Sequence, residues 1–153
     1  MLRRLSAITR LQMDKKVVSN QVLLEDAAKL MEEGREVNFT PLGSSMLPFI
    51  RGGRDSVILR KMPSAEVGDI VLVRLEGPRY VLHRVILKDG DSLTLMGDGN
   101  IAGTEKCTQA DVLGTVTAIL KGKRRITPGK GGWWRALKPI RRYILAIYRR
   151  IAI

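Results

Sequence analysis

Six short runs rich in β-branched and aliphatic residues, VNFTPL, DSVILRK, DIVLVRL, RYVLHRVIL, SLTLM and VLGTVTAIL, dominate residues 37–120. Turn signals stand between them at Arg51-Gly52-Gly53, Val67-Gly68-Asp69, Glu76-Gly77-Pro78 and Asp89-Gly90-Asp91, so the runs read as strands joined by tight connections. A single helical pattern precedes them. Over residues 20–33 the apolar positions Val22, Leu23, Ala27, Leu30 and Met31 recur at helical spacing, with Ser19 or Asn20 placed to cap and Gly34 placed to stop. One helix followed by several closely spaced strands predicts a compact, mostly β domain. The 153 residues suffice for one such domain with tails.

Composition narrows the chemistry. The single cysteine, Cys107, rules out an internal disulfide and a cysteine-rich zinc site, and the single histidine, His83, rules out a multi-histidine metal centre. The net charge of +12 is unevenly placed: five basic residues against Asp14 lie in residues 1–16, and eleven with no acid lie in 121–153. Residues 17–120 carry a net charge of −3. A nucleic-acid-binding domain carries its basic stripe on the folded body, so no nucleic-acid partner is expected.

The boundaries that follow are a basic tail at 1–16, a β-domain with its leading helix at 17–126, and a linker with a basic amphipathic helix at 127–153. In that last segment Trp133, Leu137, Ile140, Ile144, Ile147, Tyr148 and Ile151 fall at steps of three and four. Trp133, Trp134, Arg141, Arg142, Arg149 and Arg150 suit the headgroup boundary of an anionic bilayer, and a membrane-surface helix is the expectation. Packing of the helix on its own β-domain is the alternative. A helix over 139–153 would be about 22 Å long, too short to span a bilayer. The basic start holds no apolar run of secretory-signal type. The expected location is therefore the periphery of a membrane, on its anionic cytoplasmic face, or else the cytoplasm.

The stretch Gly43-Ser44-Ser45-Met46-Leu47-Pro48 is followed by VGDIVLV at 67–73, YVLHRVI at 80–86 and MGDGN at 96–100. This order of segments resembles the signal-peptidase group of serine peptidases and, more distantly, the self-cleaving SOS-type repressors that share its catalytic β-fold. The resemblance covers residues 36–120. It implies that Ser45, before Met46 and Pro48, is the nucleophile and that His83, directly before Arg84, is its base. Histidine at that position is the mark of the endoplasmic-reticulum and archaeal type and of several small bacterial relatives. The strand pattern agrees, since Val81, His83 and Val85 share a face and partly desolvate the imidazole.

Two positions depart from the family pattern. Where classical members have a second serine that helps bind the oxyanion, this chain has Gly43, which leaves the backbone N–H of Ser45, aided by Ser44, to do so. Where histidine-type relatives have an aspartate that orients the imidazole, this chain has Thr104. The third member is then Asp98 or Glu105. Asp98 is the preferred of the two, because its Gly-Asp-Gly-Asn turn follows the strand paired with that of His83.

The resemblance thus implies a signal-peptidase-type catalytic β-domain acting as a serine endopeptidase without a cofactor, on a peptide or protein with a cleavable leader. The rival is a catalytically silent peptide-binding or membrane-associated scaffold of the same fold. A self-cleaving repressor ranks last, since one helix before the β-domain cannot supply a helix-turn-helix.

Overall fold

The computed structural model describes residues 20–77, 79–100, 102–137 and 139–152. The basic tail at 1–16 and the candidate cap Ser19 lie outside them. Helix α1 (Asn20–Glu32) is followed by strands β1 (Val37–Phe39), β2 (Ser56–Arg60), β3 (Ile70–Leu75), β4 (Arg79–Asp89), β5 (Ser92–Met96), β6 (Glu105–Thr108), β7 (Val112–Lys121) and β8 (Arg124–Ile126). Two helices close the chain, α2 (Gly132–Ala136) and α3 (Arg141–Ala152). The architecture is the mostly β one expected, with the leading helix in place and ending at Glu32, just before the turn at Gly34.

All strand pairs are antiparallel, in the order β1-β2-β7-β3-β4-β5-β6, with β8 added to β7. Each of the six runs read from sequence forms a strand. Two more were missed. Both β6 (EKCT) and β8 (RRI) are short and polar, so they carry none of the β-branched signal that identifies a strand. In β6 the alternation is nonetheless present: Glu105 and Cys107 turn inward while Lys106 and Thr108 are exposed.

Strand β4 organises the sheet. Its first half pairs with β3 from Arg79↔Leu75 to Arg84↔Ile70, and its second half pairs with β5 from Arg84↔Met96 to Asp89↔Ser92. Alternate residues therefore enter different cores. Leu82 joins the larger one, where Leu23, Leu30 and Met31 of α1 pack on Val37, Leu59, Leu72 and Val116. Val85 joins the smaller one, with Val71, Val73, Leu93, Leu95 and Cys107. Each fully buried aliphatic side chain in these clusters is worth about 1.5–3 kcal/mol against exposure.

A third cluster joins the end of the chain to the body. Trp134 (1% exposed) and Leu145 (0%) pack on Leu47, with Phe49, Leu137, Ile144 and Tyr148 around them. The terminal helices are docked on the body of the domain through Trp134 and Leu145, the packing given above as the alternative to a separate membrane-surface helix. The sequence pattern was ambiguous because α3 is apolar on two sides. One side holds Ile144, Leu145 and Tyr148, and the other holds Tyr143, Ile147 and Ile151, in line with Ile140 in the turn just before the helix.

Candidate active site

The site is built on a turn-rich loop between β1 and β2. Residues 43–50 form successive turns closed by Leu47 N–H to Ser44 O (3.3 Å), Phe49 N–H to Met46 O (3.0 Å) and Ile50 N–H to Met46 O (3.0 Å). Met46 (4% exposed) anchors the loop in the larger core, and the Leu47–Pro48 peptide is cis. Pro48 is half-buried beside it. Beyond the loop, Asp55 is fully buried and accepts hydrogen bonds from Arg51 N–H (2.8 Å), the Arg51 guanidinium (3.0 Å) and Lys121 Nζ (2.6 Å). Burial acts to raise the Asp55 pKa and is the largest single influence, but the bonds from Arg51 and Lys121 together outweigh it and leave the carboxyl below its ordinary value. This ties the far end of the loop to β7.

Ser45 is half-buried and lines a cavity of about 340 Å³ together with His83. The cavity is walled by Leu24, Phe39, Leu42, Met46, Leu72 and Val81. His83 is 7% exposed, opposite Val71 on β3. Its Nδ1 lies 2.5 Å from Glu105 Oε1, and Arg79 stands 4.0 Å from the other oxygen of that carboxylate. A carboxylate on Nδ1 fixes the tautomer with its proton there and leaves Nε2 as the basic nitrogen.

Asp98 does not reach the imidazole. Its carboxylate is bound side-on by Arg84, Nε to Oδ1 at 2.8 Å and Nη2 to Oδ2 at 2.7 Å, with both residues buried. The preference for Asp98 as the partner of His83 is thereby corrected. Arg84 follows His83 on β4, points to the opposite side of the strand, and needs a buried counter-charge. Its remaining nitrogen donates to Gly68 O (2.8 Å) and Gly129 O (2.7 Å), and its guanidinium lies 5.3 Å from the Phe49 ring centroid.

The segment 97–100 is a clasp that sequence reasoning took for a simple turn. Gly99 N–H donates to Ser45 O at 2.8 Å. A Cβ on Gly97 would collide with Ser45 O, and one on Gly99 with Ser44 O, so these backbones approach as only glycine allows. The signal available was the paired glycines of MGDGN. Ser44, the candidate oxyanion helper, is exposed.

The clasp is in turn held by the end of the chain. Trp134 Nε1–H donates to Asp98 O (2.8 Å), Arg141 Nη2 to Asn100 O (2.9 Å) and Arg149 Nη2 to Gly99 O (3.0 Å). Arg141 is 4% exposed, and burial is the main cause of its lowered pKa, partly offset by Asp98. Trp134, Arg141 and Arg149, expected at a membrane, are thus turned onto the clasp. Trp133, Arg142 and Arg150 remain exposed.

Among curated proteins, none matches the chain. The family described as Peptidase S24-like matches it over residues 14–117, a span that contains Ser45, His83, Arg84, Asp98 and Glu105. Most of the chain is covered, and the observed β-domain is consistent with that assignment: the chain belongs to the Peptidase S24-like family.

Proposed function

We propose that the chain is a serine endopeptidase that removes a leader or pro-segment from a particular peptide or protein at a membrane surface. The observation that carries this reading is that Ser45 and His83 line one cavity while the Glu105 carboxylate sits on Nδ1 of that imidazole. Ser45 Oγ attacks the scissile carbonyl as His83 Nε2 takes its proton. His83 then returns that proton to the leaving amine, and the resulting acyl-enzyme is hydrolysed by a water activated at the same nitrogen. Glu105 holds Nδ1–H throughout and stabilises the imidazolium that forms. The backbone N–H of Ser45 is the oxyanion donor. The apolar walls of the cavity favour an uncharged, apolar side chain beside the cut. The site of action is the periphery of the anionic leaflet that faces the cytoplasm.

Incubation with a diverse peptide mixture, read by mass spectrometry, tests the reading. Cleavage by the wild type that is lost in both Ser45→Ala and His83→Ala supports it, because members of such a unit act together and their effects do not add. Cleavage retained in Ser45→Ala overturns the assignment. The absence of a second hydroxyl at Gly43 favours the rival reading, a silent peptide-binding scaffold. Peptide capture without turnover, unchanged in Ser45→Ala, is its signature.

A further inference from the structure

Docking consumes one side of α3 and leaves the other bare. Most of the large apolar side chains exposed among the described residues fall on this one segment: Trp133 (62%), Ile140 (50%), Tyr143 (57%), Ile147 (60%) and Ile151 (80%). Ile140, Tyr143, Ile147 and Ile151 follow one another at steps of three, four and four, so they form one stripe along the helix. The other exposed large apolar residues, Leu42, Met62, Val67 and Leu87, lie on separate loops and strands. An apolar stripe of this length needs an occupant.

The charge beside the stripe selects it. Arg142 and Arg150 are exposed along one border, and the Arg142 guanidinium folds onto Tyr143, 4.9 Å from the ring centroid with a hydrogen bond to the hydroxyl. No Asp or Glu follows Asp111 in the sequence. A second copy of the chain pairing through this stripe would set Arg142 and Arg150 against their own equivalents with no acid to separate them. An anionic lipid surface presents the opposite charge, accepts isoleucine side chains below the headgroups and seats tryptophan and tyrosine at their level.

We infer that the outward face of α2 and α3, composed of Trp133, Ile140, Tyr143, Ile147 and Ile151 with Arg142 and Arg150, is the docking surface for an anionic bilayer. It names the partner of the peptidase site and rests on the peptidase reading only in its consequence for substrate. Trp133 packs on Phe49 with ring centroids 5.6 Å apart, and Arg149 of the same helix holds Gly99, which holds Ser45. The lipid-facing surface is thus one helix thickness from the nucleophile loop. A substrate presented there is a peptide tethered to, or lying on, the same bilayer.

The test is sedimentation of the full chain with vesicles of phosphatidylcholine alone and with about one-third phosphatidylglycerol, at low and high salt. The expected result is binding to the mixed vesicles at low salt, weakened about tenfold or more by high salt, by omission of the anionic lipid, or by Ile147→Asp. Ile147 is exposed, so that variant keeps the fold, which circular dichroism verifies; Ile151→Asp is the second variant. Wild type that stays in the supernatant, equal binding to both lipids, or Ile147→Asp and Ile151→Asp variants that bind like wild type overturns the inference. So does a dimer in solution that Ile147→Asp converts to monomer. Binding is read without any turnover: a protein that binds vesicles but cleaves nothing refutes the peptidase reading alone, and one that cleaves but ignores vesicles refutes this inference and the membrane location proposed above while leaving the peptidase chemistry standing.

Discussion

Glu105 Oε1 lies 2.5 Å from His83 Nδ1 although the two residues sit on strands separated by β5. Register brings them close: Val85 on β4 faces Leu95 on β5, Leu95 faces Glu105 on β6, and His83 lies two residues from Val85 on the same face, within reach of the glutamate side chain. The neighbouring carboxylate, Asp98, is meanwhile bound on both oxygens by Arg84.

Exchange of each carboxylate for its amide separates their roles. Glu105→Gln is expected to lower kcat on the order of 10²- to 10⁴-fold with the melting temperature little changed, because the wrong tautomer is favoured while the nucleophile remains. Asp98→Asn leaves Arg84 as a buried cation without its counter-ion and is expected to cost about 3–5 kcal/mol in urea unfolding. A near-normal kcat in Glu105→Gln reduces the unit to a Ser45/His83 dyad.

The glycine clasp predicts a second pair of effects. Gly97→Ala places a methyl group where the Ser45 carbonyl stands, and the loop must move away. Labelling of Ser45 by a fluorophosphonate is expected to slow by about tenfold or more, since small displacements of a reacting group are costly. Alanine at Gly129, which has open space around its Cβ position, is the control and leaves the rate unaltered.

Trp134 is the mainstay of the docked tail. Trp134→Ala removes a fully buried indole and the bond to Asp98 O, for an expected loss of about 3–5 kcal/mol. Truncation after Gly132 is expected to expose Leu47 and Phe49 and to give a protein that unfolds at lower denaturant and aggregates. A membrane-surface helix separate from a β-domain at 17–126, the expectation from sequence, would instead leave an autonomous domain after such a truncation. A truncated chain with an unaltered unfolding midpoint refutes the docked arrangement.

Asp55 sets the acid limit of the loop. Its carboxyl is depressed in the folded protein from an ordinary value of 3.8. The stability it contributes is therefore fully present above that pH and is lost progressively as pH falls through it toward the folded value. Comparison of unfolding midpoints for wild type and Asp55→Asn is expected to show a gap at neutral pH that narrows below about pH 4. A gap that does not change with pH means that Asp55 acts through packing alone.

Six of the strands were readable because β-branched runs and glycine turns are local signals, and the loop that carries Ser45 stood out because its residues are contiguous. The choice between Asp98 and Glu105 was not readable, because it depends on the register of three strands, the last of which, EKCT, carries no strand signal. Nor was the inward turn of Trp134, Arg141 and Arg149. A helix with two apolar sides satisfies a bilayer pattern and a core pattern at once, and only the partner surface on Leu47 and Gly99 separates them.

Neighbouring residues on β4 divide the labour, with His83 facing the cleft and Arg84 facing the clasp and the linker. Because strand faces alternate with every residue, a single insertion or deletion within β4 before this pair would exchange the two, aiming a permanent cation at the cavity of Ser45 and the imidazole at Asp98. The length of this strand is thus fixed by its reading frame of faces. A turn can grow or shrink without this effect, whereas a change inside β4 that keeps both faces must come in steps of two.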